Sequence, residues 1–128
     1  MRGCSTAVVF VGSLSIWLAG LSPGVLAAGD AAHGAQVFKQ CLICHTNEAG
    51  KNKIGPSLFG IIGRPSASVP NFNYSPAMKA FNKVWTDELL KEYEPDPQKM
   101  VPGTKMSFPG LKNPQDVDDV IAYLNTLK

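Results

Sequence analysis

The chain has 128 residues, 45% hydrophobic and 17% charged, the length and balance of one globular domain rather than a disordered or low-complexity chain. Its 12 Gly and 10 Pro favour short helices and abundant loop. A formal charge of +2, with no run of like charges, excludes an electrostatic claim on nucleic acid and a charged tail.

Residues 1–28 have the layout of a secretory signal. Arg2 is the positive start, an apolar stretch runs from Ala7 through Leu21, and Ser22-Pro23-Gly24 break it before the small residues of Val25-Leu26-Ala27-Ala28. Cleavage after Ala27 or Ala28 leaves residues 29–128 as a single domain. The competing reading is a membrane anchor facing the periplasm, but the stretch is near the lower limit of roughly 17–25 residues for spanning and is diluted by Gly and Ser. Cys4 falls within the signal, so the exported chain keeps Cys41 and Cys44.

Asp30 predicts the cap of a helix whose apolar face includes Val37 and Phe38 and which leads into Cys41. From Glu48 to Pro70 the chain is rich in Gly, Pro, Asn and Ser, and it reads as a long ordered loop, of the kind that wraps something. Ser75-Pro76 predicts a cap and first helical residue for a short helix to about Asn82. Thr86 caps the next helix, Asp87 to about Glu94, which Pro95 and Pro97 end. Met100 to Lys112 reads as loop. Asn113, Pro114 and Asp116 then open a final helix along which Val117, Val120, Ile121, Leu124 and Leu127 keep helical spacing. No stretch alternates as a strand does. The expected fold is all-α, with three to five short helices and long loops. So irregular a chain of about a hundred residues has a small core of its own, and a large apolar cofactor would complete it.

Cys41-Leu42-Ile43-Cys44-His45 supplies the chemistry. Two thiols at this spacing, at the end of a helix, add across the two vinyl groups of one haem, and the next residue places an imidazole under the iron; C-x-x-C-H is the pattern of c-type haem attachment. A thioredoxin-like C-x-x-C needs a βαβ context that this chain lacks. A structural zinc site takes four ligands, whereas three are here and two of them are adjacent. A Cys41–Cys44 disulfide would close a very small loop and stabilise little. His33, the other histidine, reads as an exposed helix residue. For the iron's sixth position the exported chain offers Met78 in a short helix, Met100 at a helix end and Met106 in the loop Val101-Pro102-Gly103-Thr104-Lys105-Met106. The first two sit where Met is more often core. Pro102 and Gly103 stiffen and turn the loop that carries Met106.

With these residues the sequence resembles the class I cytochromes c, small electron carriers of mitochondria and bacterial periplasms. The likeness spans Gly29 to the C-terminus. It runs through Gly29-Asp30, Gly34, Phe38, the C-x-x-C-H, Ile54-Gly55-Pro56, Gly60-Ile61-Ile62-Gly63-Arg64, Phe72-Asn73-Tyr74, Trp85, Pro102-Gly103-Thr104-Lys105-Met106 and Ile121-Ala122-Tyr123-Leu124. It implies one haem c, with Met106 as the sixth ligand and the Pro56 carbonyl accepting a hydrogen bond from His45. It implies that Tyr74 and Trp85 bond a buried haem propionate with Arg64 as counter-charge. Tyr93 and Thr104 would line the Met106 side, Phe108 would cover the haem near its exposed edge, and Gly34 and Phe38 would pack on the last helix. Relative to mitochondrial members, the gap from Phe38 to Cys41 and the loop after His45 are each one residue shorter, which points to a bacterial relative. Met78 replaces a polar pocket residue and Gln98 a lysine.

A haem with both axial positions filled has no open site, which leaves outer-sphere electron transfer. The expected function is a monomeric periplasmic carrier, not an enzyme. It would shuttle single electrons between membrane redox complexes such as a quinol–cytochrome c reductase and a terminal oxidase, reductase or photosynthetic centre. The alternative is a haem subunit serving a periplasmic dehydrogenase or peroxidase, which an open sixth position would favour. Lys39, Lys53, Lys99, Lys105 and Lys112 flank the haem-binding segments, while acids cluster at Asp87, Glu88, Glu92, Glu94 and Asp96 and at Asp116, Asp118 and Asp119. This segregation suggests a docking face of lysines for acidic partner surfaces.

Overall fold

The computed structural model describes residues 29–128 and, before them, Gly3 alone. The export signal read in residues 1–28 lies, Gly3 apart, outside the described residues. Among the described residues five α-helices follow one another: α1 Ala31–Val37, α2 Pro76–Phe81, α3 Asp87–Tyr93, α4 Pro97–Met100 and α5 Pro114–Leu124. A 3₁₀ segment, Phe38–Ile43, continues α1 into the cysteines. Among the described residues the only β-type pairing is an isolated bridge between Pro65 and Val84.

Each helix starts where a short polar side chain takes up unpaired backbone N–H groups. Asp30 accepts from Ala32 at 2.8 Å and His33 at 3.2 Å. Ser75 accepts from Met78 at 3.0 Å, Thr86 from Leu89 at 3.2 Å and Asn113 from Gln115 at 3.0 Å. Pro97, read from the sequence only as a terminator, instead opens α4. Asp96 caps the Lys99 N–H at 3.1 Å, and proline at the first helical position lacks only a hydrogen that the helix would leave unpaired.

The first and last helices form the frame. Phe38 and Tyr123 meet with ring centroids 5.0 Å apart. Phe38, Leu90, Val117, Val120 and Leu124 are buried in one core with Tyr93 and Leu111. The helices approach closely because a Cβ on Gly34 would overlap the Asp119 carbonyl, so only glycine fits there. The long loop after His45 is held by its own polar side chains. The Thr46 hydroxyl donates to the Lys51 carbonyl at 2.5 Å, the Ser57 hydroxyl to the Glu48 carbonyl at 2.6 Å, and Asn47 to the Tyr123 hydroxyl at 2.9 Å.

Candidate haem site

Cys41 and Cys44 stand at the end of the 3₁₀ segment, both half-buried and both free thiols. Burial, with a smaller contribution from the Glu94 carboxylate, pushes the Cys41 thiol up to about 12. His45 follows on the turn, its N–H bonded to the Cys41 carbonyl at 2.8 Å. Its ring Nδ1 lies 2.7 Å from the Pro56 carbonyl, so Nδ1 carries the proton and donates it, and Nε2 is left as the acceptor nitrogen. Burial, reinforced by the Arg64 charge and opposed by the Pro56 bond, lowers the imidazole pKa. A neutral ring with a free Nε2 is the form that binds iron.

Gly55 contributes a requirement that the sequence did not disclose on its own. A Cβ at Gly55 would lie 2.6 Å from His45 Nδ1, so the imidazole rests flat on bare backbone. The only sequence signal was a glycine directly before Pro56.

A second group of the residues named from the sequence comes together around Met106. The Tyr93 hydroxyl donates to the Met106 sulfur at 3.3 Å, and the Met106 N–H donates to the Thr104 hydroxyl at 3.3 Å. Burial, aided by the Glu94 charge, raises the Tyr93 pKa, so the phenol keeps its proton. Met106 and Phe108 are half-buried against the core, while Met78 is buried within it and Met100 packs against it. Glu94, next to Tyr93, is pushed up to about 7 by burial.

Arg64 and Trp85 are neighbours through backbone pairing. The Trp85 N–H donates to the Arg64 carbonyl at 2.9 Å, and the Gly63 N–H to the Trp85 carbonyl at 2.7 Å. The Arg64 guanidinium donates to the carbonyls of Phe59 and Ser57, each at 2.9 Å, and meets no carboxylate among the described residues. Trp85 is buried, with its ring 4.8 Å from Tyr93 and 5.5 Å from Phe81. Tyr74 packs its ring on Phe72 at 4.7 Å, and its hydroxyl accepts from the Val69 N–H at 3.2 Å. The donor set fits a c-type haem. It offers paired free thiols, a neutral oriented imidazole, a thioether held by a phenol, and an unpaired guanidinium for a propionate.

Comparison with known proteins places the chain in a family. The cytochrome c family profile matches residues 31–128. A cytochrome c2 of Rhodopila globiformis is 50% identical over 101 residues, covering 78% of this chain and 95% of the relative. That of Blastochloris viridis is 52% identical over 99 residues, covering 77% of this chain and 78% of the relative. The solved structure of cytochrome cH from Methylobacterium extorquens superposes with a TM-score of 0.73 at 44% identity, over 77% of this chain and 99% of that one. Fold, cysteine pair and family profile converge: this chain belongs to the cytochrome c family, all-α electron carriers that hold one haem c.

Proposed function

We propose that the chain is a monomeric periplasmic carrier of single electrons, its haem joined by thioethers to Cys41 and Cys44 and ligated by His45 and Met106. The observation that carries this reading is the His45–Pro56 hydrogen bond, which fixes the neutral tautomer with Nε2 free. When bound, the haem supplies the Fe(III)/Fe(II) couple. The residues do the rest. Gly55 and Pro56 hold the imidazole, Tyr93 holds the Met106 thioether, and Tyr74 and Trp85 would bond one buried propionate with Arg64 as its counter-charge. With His45 and Met106 as its protein ligands, the iron would keep no position for substrate or oxygen, which would make the chain a carrier rather than an enzyme.

Residues 1–28 direct export and leave residues 29–128 as the mature domain. No helix among the described residues is long and apolar enough to cross a membrane. The partners are membrane redox complexes, a quinol–cytochrome c reductase as donor and an oxidase, reductase or photosynthetic centre as acceptor. They meet the face bearing Lys39, Lys53, Lys99, Lys105 and Lys112.

The visible spectrum of the purified holoprotein tests the ligation. The reduced form should show a sharp c-type band, and the ferric form the weak far-red band of sulfur on iron. Met106→Ala should abolish that band. Ready carbon monoxide binding to the reduced wild-type protein would replace the carrier with an open-site haem subunit.

A further inference from the structure

Glu94 ends α3 among acids that face solvent. Glu92 and Asp96, to either side, are exposed, whereas Glu94 is half-buried. Its backbone is pinned from both directions. The Glu94 N–H donates to the Leu90 carbonyl at 2.8 Å, and the Glu94 carbonyl accepts from the Leu111 N–H at 2.8 Å. Gly110 packs so tightly on this turn that a Cβ there would lie 2.0 Å from the Pro95 carbonyl oxygen and 2.9 Å from that of Glu94. The turn therefore cannot shift to carry the carboxyl outward. The Glu94 charge acts on both halves of the haem site. Second to burial, it raises the Cys41 thiol at the attachment segment and the Tyr93 phenol, whose hydroxyl donates to the Met106 sulfur at 3.3 Å. No cation offsets it among the described residues. Lys91 on α3 pairs with Asp118, Lys112 donates to the Pro95 carbonyl at 2.7 Å, and Lys99 on α4 is exposed. Burial alone moves the Glu94 carboxyl, upward to about 7.

We propose that Glu94 is a proton site coupled to the electron: its carboxylate takes one proton from water when the carrier accepts one electron from its donor, and returns that proton to water when the electron leaves for the acceptor. This rests on the carrier reading. The coupling is electrostatic. Oxidation adds one positive charge to the site and favours the carboxylate; reduction removes that charge and favours the carboxylic acid. Electron and proton arrive and leave together, so the total charge of the interior stays constant, and a poorly solvated region resists any change in it. The other titratable groups that face Glu94 do not exchange this proton. Cys41 has its sulfur in the thioether. Tyr93 is raised above its ordinary 10 and stays protonated in both states.

The midpoint potential of the holoprotein, titrated over a series of pH values, reads the coupling. Wild type should lose potential in one step around neutrality and be level on either side. A tenfold difference in proton affinity between the reduced and oxidised forms makes that step about 59 mV. Glu94→Gln keeps the shape of the side chain without the proton. Its potential should hold the acid-side wild-type value through this range and lie above wild type in alkaline solution. His33→Gln, which removes the titrating imidazole beside Asp119, should keep the step. Infrared difference spectra of wild type, reduced minus oxidised at neutral pH, should show a protonated-carboxyl band that grows on reduction, a readout that stands even where the Gln variant folds poorly. A step that survives Glu94→Gln undiminished assigns the proton to a haem propionate and overturns the proposal. A wild-type potential that is level across neutrality, or a missing carboxyl band, also overturns it. Each of these results leaves the carrier reading intact. Wild-type protein that takes up and releases no electron would remove the carrier reading itself.

Discussion

Gly34 packs its bare Cα against the backbone of Asp119, close enough that a Cβ would overlap the Asp119 carbonyl oxygen and come 3.0 Å from the Tyr123 Cβ. Backbone on the far side cannot swing away as a flexible side chain would. Gly34→Ala should therefore separate α1 from α5 and cost about 3 kcal/mol, despite alanine's better helix propensity. Denaturant unfolding of the holoprotein measures it.

Asp119 also gathers charge and hydrogen bonds between the same helices. Its carboxylate accepts the Asp30 N–H at 2.7 Å, the Gln115 amide at 2.8 Å and the His33 ring at 2.7 Å. The Asp30 bond first, then Gln115 and His33, hold its carboxyl below the usual aspartate range. The same hydrogen bond raises the His33 imidazole above its ordinary 6.5. A raised imidazole contributes stability that is fully present below 6.5 and fades as pH climbs through the folded pKa. A depressed carboxyl contributes stability that is present above 3.8 and fades as pH falls through its folded value. Thermal unfolding of wild type and His33→Gln should differ most between these limits, and the difference should vanish once His33 is neutral. A gap that persists unchanged into alkaline solution would refute the pairing.

On the proposed ligation by His45, Gly55→Ala should disturb the iron rather than the fold. The added methyl would meet the His45 ring 2.6 Å from Nδ1, and the ring would have to leave the Pro56 carbonyl. The expected result is a holoprotein with altered ferric absorption and carbon monoxide binding in the reduced state, measured by visible spectroscopy.

Tyr93→Phe removes the donor on the Met106 sulfur. With that hydrogen bond gone, Met106 in its proposed role as iron ligand would donate more strongly and favour the ferric state. The midpoint potential should fall by about 20–60 mV, the equivalent of one ordinary hydrogen bond. A redox titration checks it.

How much was legible in the sequence varies with the distance over which each feature acts. The last helix announced itself through Asn113-Pro114 and an apolar repeat, because caps and periodicity are local. Asp96-Pro97 carries the same signature, yet its closeness to the end of α3 made the proline look like a stop alone. Asp119 read as one more surface acid beside Asp116 and Asp118. It is buried, only 2% exposed; its partners His33 and Asp30 are 86 and 89 residues away, and no local pattern reports such a pairing. Gly55 was visible as a residue but not as a floor, since the need for it arises only when the His45 ring lies upon it.

The pairing of α1 with α5 also sets a schedule. Residues 38–113 separate the two helices, and a ribosome adding ~5–20 residues per second needs about 4–15 s to deliver them. Throughout that interval the first helix has no partner, and Cys41, Cys44 and His45, which emerge just behind it, stand in an unclosed chain. The molecule thus presents its attachment segment early and seals itself last.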